Sequence, residues 1–359
     1  MKRLIIFMLL LFFASVVKVE AISSEAVILM DEDSDRVLYE HNADKKKLIA
    51  SITKIMTAVL AIESEKLDDI VTIDETILKA YGSNIYIEIG EEMPLRDLVY
   101  GLMLRSGNDA AIAISNYVSG SEDKFVELMN KKAKEIGMKH TVFKNPHGLD
   151  EDGGNVSTAR DMALLAKYAS NLEEYKTISG TKKHVAKTNY KTYVWDNKNK
   201  MLKLYNYSTG GKTGFTDKAK RTLVSTATKK DMNLIVVTLN DPDDWNTHKN
   251  LFEYGFNNYR KYRILNKLTL DVGSEYYKEH LYILDDYYFP LMESETGDIT
   301  IKVKLLKLKH YKNEDKVGEA EIYFKDKLVH TENIYVEVLA KKPRRNFWQR
   351  ILGWLFYDK

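Results

Sequence analysis

Ala50-Ser51-Ile52-Thr53-Lys54-Ile55-Met56-Thr57 is the stretch from which the rest of the chain is read. Ser51 opens what reads as a buried helix, and Lys54 follows at i+3, so the two side chains share one helix face. Ile55, Met56, Val59, Leu60 and Ile62 leave that helix almost no polar face. A serine hydroxyl is a weak nucleophile until a neighbouring base takes its proton. A lysine can be that base only when its pKa falls, and burial or a second cation lowers it. The same spacing recurs at Ser121 and Lys124 and at Ser179 and Lys182. The first of these reads as a helix N-cap with acids in the first turn. The second reads as a polar turn around Gly180.

The chain has 359 residues, 44% apolar and 30% charged. That balance suits a globular protein with one large domain and a smaller one. The formal net charge of +2 gives no global attraction to nucleic acid, and no nucleic-acid partner is expected. The absence of cysteine excludes disulfides and thiol catalysis and fits a compartment where free thiols are a liability. Eight histidines occur, none at metal-ligand spacing, which argues against a zinc hydrolase.

Working outward, residues 1–21 read as an export signal: Lys2 and Arg3, an apolar run from Leu4 to Ala14, and a small residue, Ala21, at the cut site. The run is shorter than the roughly 20 residues a bilayer span needs. An uncleaved anchor is the alternative. Residues 26–30 and 36–40 form a hairpin across a polar turn. Pro94 opens a helix over 95–104. Arg105-Ser106-Gly107-Asn108-Asp109 breaks it, and Asn108 or Asp109 caps the next helix, 110–118. A lone Ser-Gly-Asn is a helix corner; its functional reading is a hydroxyl and an amide at a rigid corner facing a cleft. Helices follow over 121–136 and from Ser157 or Thr158 to about 169, with a loop at 145–149 between them.

Gly210-Gly211-Lys212-Thr213-Gly214-Phe215-Thr216 comes next, followed by strands over 221–228 and 233–239 and a helix over 245–259. A phosphate loop is excluded: the spacing is wrong and a strand, not a helix, follows. Lysine, threonine and glycine along an edge strand suit recognition of an extended peptide by strand pairing. From about 265 to 340, period-two alternation such as Ile299, Ile301, Val303 and Leu305 indicates a small all-β domain with one wet face. In the tail, Lys341, Lys342, Arg344 and Arg345 precede Trp348, Ile351, Leu352 and Leu355 at i, i+3, i+4, i+7. That composition suits a helix lying in the membrane interface. Docking of the tail on the β domain is the alternative.

Ser51-x-x-Lys54, Ser106-Gly107-Asn108 and Lys212-Thr213-Gly214 stand in order, a trio of the kind found in serine β-lactamases and penicillin-binding proteins. The sequence resembles the low-molecular-mass penicillin-binding proteins, specifically the D-alanyl-D-alanine carboxypeptidases. Ser-Gly-Asn in place of Ser-Asp-Asn, the β domain and the tail favour that family over a soluble β-lactamase. The resemblance implies an α+β fold, an antiparallel sheet flanked by helices, over 22–262. It also implies a β-rich domain over 265–340 and an amphipathic anchoring helix over 341–359. The implied activity is removal of the terminal D-alanine from peptidoglycan stem peptides, outside the cytoplasmic membrane, with covalent inhibition by β-lactams and no metal or organic cofactor. By resemblance, Ser51 is the nucleophile, Lys54 its base and Ser106 a proton relay. Asn108 positions Lys54 and the substrate amide. Lys212 and Thr213 bind the terminal carboxylate, Gly214 lets substrate backbone approach, and the N–H groups of Ser51 and Phe215 form the oxyanion hole.

Two positions depart from some relatives. Phe215 stands where they have histidine, and between 240 and 250 there is Lys249 but no arginine to help hold the carboxylate, leaving Arg221 as a substitute. A D,D-endopeptidase with the same residues, a β-lactamase and a non-catalytic wall-binding protein are the competing readings.

Overall fold

The computed structural model describes residues 23–268 and 274–338. The export signal expected at 1–21 and the tail at 341–359 lie outside the described residues. The chain divides into two compact units, one up to Tyr259 and one from Arg260.

The first unit is built on a five-stranded antiparallel sheet. Its strands are β1 (Ala26–Asp31), β2 (Val37–His41), β3 (Ser208–Thr216), β4 (Lys220–Lys229) and β5 (Met232–Leu239), in the order β2-β1-β5-β4-β3. The expected hairpin is β1–β2, and the Lys-Thr-Gly strand β3 stands at a sheet edge. Every residue of β1 is buried, as a continuous apolar run requires of an interior strand.

Helices complete the unit: α1 (Lys54–Glu63), α2 (Leu95–Tyr100), α3 (Asn108–Ser119), α4 (Glu122–Glu135), α5 (Ala159–Ser170), α6 (Glu173–Gly180) and α7 (Asp244–Asn258). Helices α5 and α7 pack on β1. Helix α1 is buried from Lys54 to Ala61 and packs against α3, α4, α5 and α6, which is why it lacks a polar face. Ser121 caps α4 through the Lys124 N–H, and Thr158 caps α5 through the Asp161 N–H.

Four local expectations are corrected. Ser51 lies not in an α-helix but in a 3₁₀ turn, Ala50–Thr53, that leads into α1. The helix over 95–104 ends at Tyr100 and widens into a π turn, Gly101–Arg105. Neither Asn108 nor Asp109 is a cap: Gly107 holds the N-cap position and both polar residues sit in the first turn of α3, free to reach elsewhere. Ser179, expected in a turn, closes α6.

The second unit is all β. Strand β6 (Arg260–Leu265) pairs with β8 (Tyr287–Leu291), while β7 (His280–Tyr282), β9 (Ile299–Leu305), β10 (Lys316–Phe324) and β11 (Lys327–Glu337) form an antiparallel sheet in the order β7-β11-β10-β9. Val317, Ala320, Ile322, Ile334 and Val336 form its core. Alternation holds in β10 but not in β9, where Ile301 and Val303 are each 42% exposed. Strand β9 is the sheet edge, with a neighbour on one side only.

Candidate active site

The site is built where α1 begins. In a 3₁₀ turn, residues three apart eclipse, and Lys54 Nζ lies 3.2 Å from Ser51 Oγ. The lysine is fully buried and donates to Asn108 Oδ1 at 2.6 Å and to the His147 carbonyl at 2.5 Å. Burial holds its pKa well below the ordinary value; Lys212 and Lys198 push the same way and Asp109 opposes them.

The carbonyl comes from the 145–149 loop, which Asn155 organises. Its side-chain amide donates to Thr53 Oγ1 and the Asn145 carbonyl, both at 2.9 Å, and accepts the Lys144 N–H at 2.7 Å. Gly148 has φ +90°, and a Cβ there would run into the Ala50 carbonyl. Only glycine lets this loop lie on the turn carrying Ser51. His147 Nδ1 accepts the Leu149 N–H at 3.2 Å. Burial, reinforced by Lys54 and Lys79, brings the imidazole to about 3, so it is neutral at pH 7.

Ser106 and Asn108 arrive on the corner between the π turn and α3. Ser106 adopts a left-handed conformation, φ 66°, and is buried. A non-glycine residue holds this conformation at a cost of about 1–2 kcal/mol. Among the described residues no hydrogen bond joins Ser106 Oγ to Lys54, Ser51 or Asn108. Asn108 Nδ2 donates to the Tyr81 carbonyl at 2.6 Å while its Oδ1 faces Lys54.

Strand β3 closes the other side. Thr222 Oγ1 on β4 donates to the Ile49 carbonyl at 2.9 Å and ties the sheet to the Ser51 turn. A Cβ on Gly214 would stand 2.9 Å from the Ser51 amide nitrogen, so glycine permits the approach of strand and turn. Lys212 is buried and donates to the Thr213 carbonyl at 2.7 Å. Burial, helped by Lys198, brings it down to about 7. Thr213 is half-buried, and the Phe215 side chain is 61% exposed. Arg221 is the cross-strand partner of Phe215; it pairs with Asp244 and lies 5.3 Å from the Trp245 ring centroid. Lys249 is exposed.

Direct contacts thus join Ser51, Lys54 and Asn108; charge couples Lys212 to Lys54, and backbone approach brings Gly214 to Ser51. Sequence reading missed the His147 carbonyl, Asn155, Asp109 and Lys198. The glycine at 148 inside a polar loop and the acid directly after Asn108 were the available signals.

Comparison with known proteins decides the lineage. The D-alanyl-D-alanine carboxypeptidase family model matches residues 14–243. The chain belongs to the D-alanyl-D-alanine carboxypeptidase family. Carboxypeptidase DacF of Bacillus subtilis is 40% identical over 220 residues, covering 60% of this chain and 56% of that protein. Carboxypeptidase DacA of Escherichia coli is 30% identical over 370 residues, covering 94% of this chain and 88% of that protein. Among solved structures, penicillin-binding protein 5 of Haemophilus influenzae matches with a TM-score of 0.74 at 26% identity, covering 88% of this chain and 97% of that one. The carboxypeptidase family expected from the three motifs is the one found, and the α+β unit followed by a β unit is its architecture.

Proposed function

We propose that the chain is a serine-type carboxypeptidase that removes the terminal D-alanine from peptidoglycan stem peptides through an acyl-enzyme on Ser51, and that β-lactams acylate the same serine. The observation that carries this reading is the Lys54 amine. It is buried, two of its contacts are the Asn108 and His147 oxygens, and its third is Ser51 Oγ. A neutral amine has two N–H donors and one lone pair. With both donors occupied, the lone pair faces the serine hydroxyl.

In the proposed sequence Lys54 takes the Ser51 proton as Oγ attacks the carbonyl carbon between the two D-alanines. The N–H groups of Ser51 and Phe215 hold the oxyanion, a term of about 3 kcal/mol per donor in other enzymes. The C–N bond then breaks, the proton passes to the leaving amine with Ser106 as relay, and water later cleaves the ester. Lys212 and Thr213 take the terminal carboxylate, and Gly214 leaves space for substrate backbone. A lysine poised near 7 returns to its charged form when a carboxylate arrives beside it. Arg221 already pairs with Asp244, which supports assigning the carboxylate to Lys212 and Thr213. Export and peripheral attachment through residues 341–359 complete the reading and place the enzyme beside its wall substrate.

The test is mass spectrometry of the protein with benzylpenicillin over time, beside Ser51→Ala. A long-lived adduct on the wild type alone is expected. An adduct on Ser51→Ala refutes the nucleophile, and one that decays within seconds marks a β-lactamase.

A further inference from the structure

Asp109 follows Asn108 on the first turn of α3, and its carboxylate is buried. It accepts the N–H groups of Tyr86 at 2.7 Å, Ala110 at 2.8 Å, Ile85 at 3.0 Å and Ile87 at 3.4 Å. Successive backbone N–H groups curled around an anion form a nest, and here the protein supplies its own anion. Tyr86, in the middle of the nest, has φ 61° and a side chain 73% exposed. Such a conformation in a bulky residue persists only where the surroundings over-determine it. While the Tyr86 N–H donates to Asp109, the Tyr86 carbonyl accepts from Tyr193 Oη at 3.0 Å and Lys191 Nζ at 3.2 Å.

The other end of the same segment is held by Asn108. Its N–H donates to the Ser83 carbonyl at 2.7 Å and its Nδ2 to the Tyr81 carbonyl. Lys198 adds a strut, with its N–H on the Leu104 carbonyl at 3.0 Å and Nζ 3.3 Å from Ser83 Oγ. Residues 81–87 are therefore stitched to two consecutive residues. One of them holds the lysine amine and the other holds the segment that orients the first.

We propose that Asp109 is a positioning residue of the carboxypeptidase reaction: by folding residues 81–87 onto the Ser106–Asn108 corner, it keeps the Asn108 amide, and through it Lys54, aligned with Ser51. The proposal rests on the acyl-serine reading. Among the described charges acting on Lys54, Lys212 from β3 and Lys198 are positive and Asp109 is negative, while His147 from the loop is neutral. Asp109 therefore also favours the protonated amine, which gives the proposal a readout beyond loss of rate.

The test is the pH dependence of acylation by benzylpenicillin, measured on the full chain in detergent for wild type and Asp109→Asn. The variant is expected to acylate about 10- to 100-fold more slowly, the scale set by misplacing a reacting group. The acid limb of its profile is expected to move to lower pH, because losing the negative charge weakens proton binding at Lys54. Unchanged rate and unchanged limb overturn the proposal, and so does slower acylation with the limb in place, which reports packing alone. If Asp109→Asn does not fold, Asp109→Glu keeps the charge but displaces the nest. It should hold the wild-type limb and still acylate at least several-fold more slowly; a wild-type rate overturns the proposal. A wild-type chain that forms no adduct fails the acyl-serine reading itself, before any variant is compared.

Discussion

Asn108 shows how much one side chain does in this site. Its Oδ1 takes one of the two donors that a neutral Lys54 possesses, and its Nδ2 ties the corner to Tyr81. Asn108→Ala leaves that donor without its acceptor and lets the amine turn its lone pair away from Ser51. Acylation by a fluorescent penicillin is expected to slow by about 100-fold, within the range that positioned proton transfer contributes, with the far-UV spectrum unchanged. A rate within about threefold of wild type would show that the His147 carbonyl alone aims the lysine. At this scale the sequence was readable where the chemistry needs a particular side chain at a fixed spacing: Ser51, Lys54 and Asn108 meet as their motifs imply. It was silent where the group is a backbone carbonyl, as at His147, because any residue carries one and only the fold selects which is used. Asp109 was legible as a polar residue at a helix start, but capping was the wrong reason. A cap serves N–H groups of its own helix, and this carboxylate serves mostly those of residues 85–87.

Elements were legible by periodicity, and their ends were not. The interior of α1 followed from apolar spacing, whereas the one-sided burial read from the alternation at Ile299–Leu305 did not hold, and the 3₁₀ turn at Ser51 and the π turn before Ser106 depend on what packs against them. Both irregular turns fall at the site, where tertiary contacts override local preference. The seam between α7 and the sheet gives a prediction of its own. His248 on α7 is fully buried, with Nδ1 bonded to Ser225 Oγ on β4 and Nε2 3.0 Å from Thr238 Oγ1 on β5. Burial lowers its pKa to about 3, against a weaker opposing pull from Asp241. The unfolded chain, with an ordinary imidazole near 6.5, therefore binds the proton more readily than the folded one. The stability contribution is complete above about pH 6.5 and is lost as pH falls toward 3. His147 has the same sign over the same window. In urea unfolding followed by circular dichroism, His248→Ala should lose about 2–4 kcal/mol at pH 7.5, from the cavity and the stranded hydroxyls. It should also lose less further stability between pH 6.5 and 4 than the wild type, since one of the two buried imidazoles is gone. Parallel pH slopes would show that His248 carries no linkage.

At the scale of the whole molecule, the proposed chemistry and the proposed attachment belong to separate parts of the chain. Among the described residues, the groups that bond to Ser51, Lys54 and the Ser51 turn lie in the first unit, between Ile49 and Thr222. The features expected to hold the enzyme at a membrane lie in residues 341–359, outside the described structure. Among the described residues no helix is long and apolar enough to cross a membrane; the interfacial attachment proposed for the tail rests on the composition of that segment alone. Four cations, Lys341, Lys342, Arg344 and Arg345, stand beside an apolar set containing Trp348 and Trp354. Each cation near an anionic surface contributes about 1 kcal/mol, screened over roughly 8–10 Å at physiological salt, whereas apolar burial is not screened. Deleting residues 341–359 should therefore abolish co-sedimentation with vesicles rich in anionic lipid while leaving the rate of penicillin acylation within about twofold of the full chain. For the full chain, raising the salt should weaken binding without eliminating it, and neutral vesicles should still retain a fraction. Binding that vanishes completely at high salt would assign the attachment to charge alone. Vesicle binding that survives the deletion would move the membrane-seeking surface off the tail, and a truncated chain that acylates much more slowly would mean the two roles are not separate.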